Sequence, residues 1–219
     1  MKSILITGVD TGIGRALFDS SFNDSRIIGI ARDKHVVELR NNQHIIVADL
    51  SKINKIDQIN LENYIDNKDE IVFVNNASII DPIMVNGNIN TSSVVDIFNI
   101  NCLAPVLLTQ KILKISKGIK TTIFNMSSGA AVRPIRGWSL YCSTKAANRM
   151  YFETVLAEYP TLNLIQYDPG VVNTGMQSRI REISPDHFPD GRLFHDFHAK
   201  GQLRSIKEVV SEIESLLLS

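Results

Sequence analysis

Six short runs rich in β-branched residues, at 3–7, 26–31, 44–48, 71–75, 121–126 and 162–167, alternate with longer stretches of helical periodicity, and this alternation restricts the fold more than any other feature. The runs lack the polar alternation of a half-solvated strand, so each is suited to a sheet covered on both faces. Helical patterns fall near 12–22, 53–67, 92–116 and 141–158, with a shorter and weaker one near 35–41. A strand reaches a parallel neighbour only through a crossover, normally a helix. The order therefore predicts an α/β fold, a doubly wound parallel sheet of Rossmann type. No repeat, low-complexity tract or Gly/Ser linker divides the 219 residues, which read as a single domain, 1–219. Between 171 and 203 the periodicity gives way to aromatics, Pro, Asp and His. Ser205-Ile206-Lys207-Glu208 then reads as a capping box opening a last helix.

The 23 basic and 23 acidic residues cancel, so neither nucleic acid nor an anionic membrane is an expected partner. The apolar run at 3–7 is stopped by Gly8 and Asp10, too early for a signal core or a membrane span. Cys102 and Cys142 form no disulfide framework and no metal-ligand spacing, as for free thiols in a reducing compartment. A cytoplasmic location is the expectation.

The first run leads into Thr7-Gly8-Val9-Asp10-Thr11-Gly12-Ile13-Gly14, where a doubly wound sheet binds a dinucleotide. Glycines there let the backbone turn sharply and approach a pyrophosphate, and a helix beginning near Gly12 aims N–H groups at it. The second run ends Ile30-Ala31-Arg32. An NAD-specific site places an acidic residue at that point to hold the adenosine ribose hydroxyls. Ala31 cannot do this, and the Arg32 guanidinium suits a 2′-phosphate, so NADP(H) is the expected cofactor, with Asp33 as the competing carboxylate.

Further along stand Ser128 and Tyr141-Cys142-Ser143-Thr144-Lys145. On a helix, residues four apart share a face, so Lys145 can approach the Tyr141 phenol and favour its ionised form. Ser128, after the fifth strand, is placed to hold a substrate oxygen.

The Gly-x-x-x-Gly-x-Gly spacing, Ser128 and Tyr141-x-x-x-Lys145 together resemble the short-chain dehydrogenase/reductase family. More landmarks carry the resemblance across residues 4–176: Asp49-Leu50, Asn75-Asn76-Ala77-Ser78 (glycine in the family pattern at Ser78), Phe98-Asn99-Ile100-Asn101 and Pro169-Gly170-Val171-Val172-Asn173-Thr174. The resemblance implies four catalytic residues, Ser128, Tyr141, Lys145 and Asn101, the last supporting a water linked to the lysine. It implies cofactor contacts from Gly8, Thr11, Gly12, Ile13, Gly14, Arg32, Asp49, Leu50, Asn76, Ala77, Tyr141, Lys145, Pro169, Gly170, Val172 and Thr174. The stretches 101–108, 127–131, 137–142 and 175–177 are most similar to bacterial sepiapterin-reductase-like and benzil-reductase-like members.

By the same resemblance, residues 173–204 form a substrate lid. Its Met176, Phe188, Phe194 and Phe197, with Trp138, suit an apolar pocket for a small carbonyl, Trp138 and Met176 being the expected substrate contacts. His195 and His198 share a helical face but lack the three or four ligands of a zinc site, so no metal is expected. Arg133, Arg136, Arg179 and Arg181 are expected on solvated faces. Ordinary family members add a seventh strand after the last helix. Six are expected here, with a homodimer in place of a tetramer. The implied activity is NADP-dependent reduction of a small ketone, diketone or pterin-like carbonyl. The competing reading is a catalytically silent NAD(P)-binding regulator or scaffold of the same fold.

Overall fold

The first strand is apolar on both faces because it lies in the middle of the sheet. In a computed structural model that describes residues 1–20, 22–33, 39–66, 68–87 and 89–218, β1 (Lys2–Thr7) pairs in parallel with β2 (Ser25–Ala31) on one side and β4 (Glu70–Asn75) on the other. With β3 (Gln43–Val47), β5 (Thr121–Met126) and β6 (Asn163–Tyr167), the sheet order is β3-β2-β1-β4-β5-β6, every neighbour parallel. This is the expected doubly wound Rossmann-type sheet, of six strands among the described residues.

Successive strand residues point to opposite faces, and the core divides accordingly. Ile4, Ile6, Val72, Val74 and Phe124 pack on one face with Leu17 and Phe18 of α1 (Gly12–Phe18) and with Val209, Ile213 and Leu217 of α8 (Ile206–Leu218). Leu5, Phe73 and Ile123 pack on the other with Ala104, Leu108 and Ile112 of α4 (Ala104–Ile115) and Phe152 and Val155 of α5 (Ser139–Glu158). The Ser205–Glu208 capping box forms at the start of α8, with Ser205 N donating to Glu208 Oε2 at 2.7 Å and Glu208 N to Ser205 Oγ at 3.2 Å. The chain winds outward from β1 to β3, then returns to β4, so a crevice opens between the carboxyl ends of β1 and β4.

Helix lengths depart from the periodicity. Helix α1 stops at Phe18 instead of running to 22. The stretch 53–67 makes only α2 (Ile53–Asp57) and a 3₁₀ turn at Leu61–Asn63, because the Asn60 side chain accepts from Glu62 N and offers the backbone an alternative to helix. Of the helix expected at 35–41, residues 34–38 lie outside the described residues and 39–41 are not helical. The helix expected near 92–116 runs as α3 (Thr91–Phe98), a π-helical turn (Asn99–Leu103) and α4. Thr91–Ile115 is long and apolar enough to cross a membrane by composition, but here Ile97, Ala104, Leu108 and Ile112 bury one face in the core. Two further helices, α6 (Gly175–Arg181) and α7 (Gly191–Ala199), occupy the region without periodicity.

Candidate active site

The crevice is shaped first by backbone. At Gly8 (φ +71°) a Cβ would stand 2.9 Å from Ala77 Cα, and at Gly14 it would collide with the Gly8 carbonyl and the Asn76 amide. The turn after β1 is therefore packed directly on the end of β4, as glycine alone permits. Hydrogen bonds staple it: Thr7 Oγ1 accepts from Asn76 N (3.0 Å) and Ala77 N (2.9 Å), and Asn76 Nδ2 donates to Thr7 O (2.8 Å) and Gly8 O (3.2 Å). The result is a groove of about 360 Å³.

Most of the expected cofactor contacts line that groove: Gly8, Thr11, Gly12, Ile13, Arg32, Asp49, Leu50, Asn76, Ala77, Tyr141, Lys145, Pro169 and Thr174. Gly14 does not; its service is the close packing just described. Gly170 and Val172 line an adjoining cavity of about 170 Å³ together with Ser128, Trp138 and Met176. A Cβ on Gly12 would meet nothing closer than Thr174 Cγ2 at 4.0 Å, so any side chain there would project into the groove. Bare backbone along its floor fits a pyrophosphate-bearing ligand. Asp10 also lines the groove, and its carboxylate accepts the Arg32 backbone N–H at 3.0 Å, leaving the guanidinium outside that bond.

At the inner end, α5 carries Tyr141 and Lys145 on one face, both buried. Lys145 Nζ donates to Met126 O at 2.8 Å and sits 5.6 Å from the centre of the Tyr141 ring. Burial pushes the Tyr141 phenol up to about 12, against the opposing effect of the Ser128 and Ser78 hydroxyls, and pushes the Lys145 ammonium down to about 8. For the protein's own groups burial is the largest influence on the phenol, and Lys145 is not among the groups that set it. Ser128 Oγ accepts from Ala130 N at 3.2 Å, which fixes its position after β5.

Asn101 lies in the π turn, 1% exposed. Its side chain grips Ile79, accepting from Ile79 N (2.9 Å) and donating to Ile79 O (2.8 Å), and it also donates to Thr144 Oγ1 (3.2 Å). Its carbonyl accepts from Asn148 Nδ2. The side chain therefore joins β4's exit loop to α5 and makes no direct hydrogen bond to Lys145. Nothing local to the sequence singles out Asn148, although a polar residue at i+7 from Tyr141 falls on the same helical stripe. In the sequence Ser78 stands out only as a departure from the family glycine. Its hydroxyl is buried beside the phenol without a full hydrogen bond of its own.

The adjoining cavity shares Ile13, Ser127, Tyr141, Pro169, Thr174 and Met176 with the groove, so the two are one cleft with Tyr141 at the junction. Trp138 meets Tyr141 edge-on (centroids 5.4 Å, 72°), is stacked by Phe188 (5.1 Å, 16°) and meets Phe194 at a tilt (4.9 Å, 40°). Phe188 is wholly buried in that stack, whereas Phe194 and Met176 face the cavity. Thr174 caps α6 through Gln177 N at 3.4 Å. Among the described residues no group of three His, Cys, Asp or Glu is placed to hold a metal ion, and Cys102 and Cys142 are free thiols.

A doubly wound sheet, a glycine-floored groove at its switch point and a buried Tyr–Lys pair at the groove's end define a dinucleotide-binding oxidoreductase of Rossmann type. Residues 2–184 match the family described as short chain dehydrogenase, and the chain belongs to the short-chain dehydrogenase/reductase family. It is 32% identical to the benzil reductase ((S)-benzoin forming) of Bacillus subtilis, over 99% of this chain and 93% of that one. Against sepiapterin reductase of Bos taurus it is 37% identical over 55% of this chain and 46% of the relative. The crystal structure of the KRED1-Pglu enzyme shares the fold at a TM-score of 0.89 and 23% identity, covering 100% of this chain and 95% of that one. The protein is an NAD(P)-dependent oxidoreductase of this family.

Proposed function

We propose that the protein is an NADPH-dependent reductase of small ketones or diketones with an apolar substituent, with Tyr141 as proton donor. The observation that carries this reading is the continuity of the cleft: Tyr141 lines both the glycine-floored groove and the apolar cavity. The nicotinamide supplies the hydride when bound. Gly8, Gly12, Thr11 and Asn76 would hold the dinucleotide's phosphates, Asp49 and Leu50 its adenine, and Pro169, Gly170, Val172 and Thr174 its nicotinamide end. A phenol held up to about 12 is protonated at neutral pH, which suits an acid in the reductive direction. Ser128 is assigned to the substrate oxygen, Lys145 to the cofactor ribose, and Asn101 to positioning Ile79 and Ser78 at the cleft. The similarity to benzil reductases supports a diketone, and α6 and α7 would serve as the lid.

The preference for NADPH rests on Ala31, which is buried and cannot bind a ribose, and on Arg32, which lines the groove. Asp33 is not among the lining residues. Steady-state kinetics with both cofactors tests this. NADPH is expected to be favoured, and Arg32→Ala should raise the KM for NADPH by about 10-fold or more while hardly changing that for NADH. Equal use of both by the wild type removes Arg32 from the assignment. The same reading takes the protein as a homodimer paired through α3–α4 and α5, whose outer faces expose Val95, Leu103 and Met150.

A further inference from the structure

Two arginines lie between Ser128 and α5, and among the described residues only Arg136 is engaged. Arg136 donates its backbone N–H to Asp190 Oδ2 at 2.8 Å, and its Nε and Nη2 to Asp190 Oδ1 at 2.9 and 2.7 Å. Arg133 is exposed, and its guanidinium has no hydrogen-bond or ion-pair partner among the described residues. It nevertheless lies against the backbone of Gly129, the residue after Ser128. A Cβ at Gly129 would stand 3.2 Å from Arg133 Nη2 and 3.3 Å from Nε. Arg133 also lines the cavity that Ser128 and Tyr141 share. Around it the wall is apolar, with Ile80, Ile135, Trp138, Ile180 and Phe194. The cavity's one acidic residue, Asp168, accepts the Gly170 N–H at 2.9 Å.

A guanidinium without a partner, at the edge of an apolar wall, is a planar fork matched to a carboxylate. We propose that Arg133 selects substrates that carry a carboxylate beside the reacting carbonyl, which makes 2-oxo acids with an aromatic or branched side chain the preferred class. This rests on the reductase reading of the same cleft and narrows its substrate. In a 2-oxo acid the carboxylate is bonded to the carbonyl carbon. With the carbonyl oxygen held by Ser128, the carboxylate is assigned to Arg133, which lines the same cavity, and the side chain to the apolar wall. The chemistry is that of any ketone here: the oxo group is reduced to a hydroxyl with one proton taken up, and NADPH is oxidised to NADP⁺.

Steady-state reduction at saturating NADPH separates the possibilities, using phenylglyoxylate, its methyl ester and the neutral 1-phenyl-1,2-propanedione with the wild type, Arg133→Ala and Arg133→Lys. The acid is expected to exceed the ester by about 10-fold or more in kcat/KM, and Arg133→Ala to lower the acid-to-ester ratio about 10–100-fold. Arg133→Lys should restore part of that ratio, since a point charge lacks the fork. NADPH affinity and melting temperature, measured on the same variants, show whether the fold is kept; a ratio that falls only together with them counts against the proposal. A wild type that prefers the ester, or a ratio unmoved in Arg133→Ala, overturns it. Reduction of the dione alone overturns it while the reductase reading stands. NADPH binding with none of the three compounds reduced overturns the reductase reading itself.

Discussion

Tyr141 and Lys145 show how burial sets chemistry one residue at a time. Their neighbourhood disfavours both charged forms, so the phenol keeps its proton to about 12 and the amine loses its own near 8. Tyr141→Phe retains the ring that Trp138 packs against and removes the hydroxyl that carries the proton, so NADPH affinity should stay within about twofold while kcat falls at least about 100-fold. Fluorescence titration and single-turnover kinetics check this; wild-type turnover in the Phe variant removes Tyr141 from the mechanism. Lys145 yields a pH prediction. Below about 8 it is an ammonium, whose hydrogen bonds are about twice as strong as those of a neutral amine. NADPH affinity should hold at lower pH and weaken as pH rises through about 8, and Lys145→Met should bind more weakly with no such inflection. A wild-type profile flat from pH 6 to 10 contradicts the assignment. Tyr141, Lys145 and Ser128 were legible because their spacing is local. The upward shift of the phenol was not, because desolvation depends on what the whole fold packs around it.

At the scale of elements, the segment carrying α6 and α7 is attached to the turn before the catalytic helix through Arg136 and through Trp138, and the magnitudes rank them. The Arg136–Asp190 pair is exposed on the arginine side (74%), and such pairs contribute at most about 1 kcal/mol. Phe188 is fully buried between Trp138 and Phe194, and truncating such a phenylalanine costs about 3–5 kcal/mol. Phe188→Ala should therefore lower the melting temperature and raise the KM for the carbonyl about 10-fold or more, whereas Arg136→Ala changes either only slightly; thermal melts and steady-state kinetics read both. The opposite ranking would mean that the ion pair holds the segment. Gly137 belongs to the same device: its φ of +92° and the 2.7 Å that would separate a Cβ from Phe188 Cδ2 leave room for glycine only. Periodicity could not reveal α6 and α7, which are short and held by aromatic contacts from distant parts of the chain. The π turn at Asn99–Leu103 was hidden likewise, since it depends on Asn101 reaching Ile79, 22 residues away.

For the whole molecule, the sheet leaves α3–α4 and α5 with apolar residues on the outside: Val95 is 49% exposed, Leu103 45% and Met150 63%. Covering these faces in a second copy would remove apolar area from water, at about 25 cal/mol per Å². Light scattering at micromolar concentration should return a dimer, and Leu103→Asp with Met150→Asp should return a monomer that still binds NADPH. A wild-type monomer or tetramer rejects this pairing.

Strand order along the chain, the glycine turn after β1 and the residue types at 128, 141 and 145 were determined by the sequence alone, because each depends on neighbours within a turn or a few residues. Periodicity of two or 3.6, a positive φ and an i, i+4 spacing are properties of a short stretch. Tertiary structure decided the rest. It showed that Gly14 packs instead of lining the groove, that Asn101 is tied to Ile79 and Asn148, that Ser78 lies beside the phenol, and that among the described residues Arg136 is paired while Arg133 is not. Most of those outcomes are contacts between segments 20 to 70 residues apart in the chain, and they exist only once the sheet has brought the carboxyl ends of its strands to one edge.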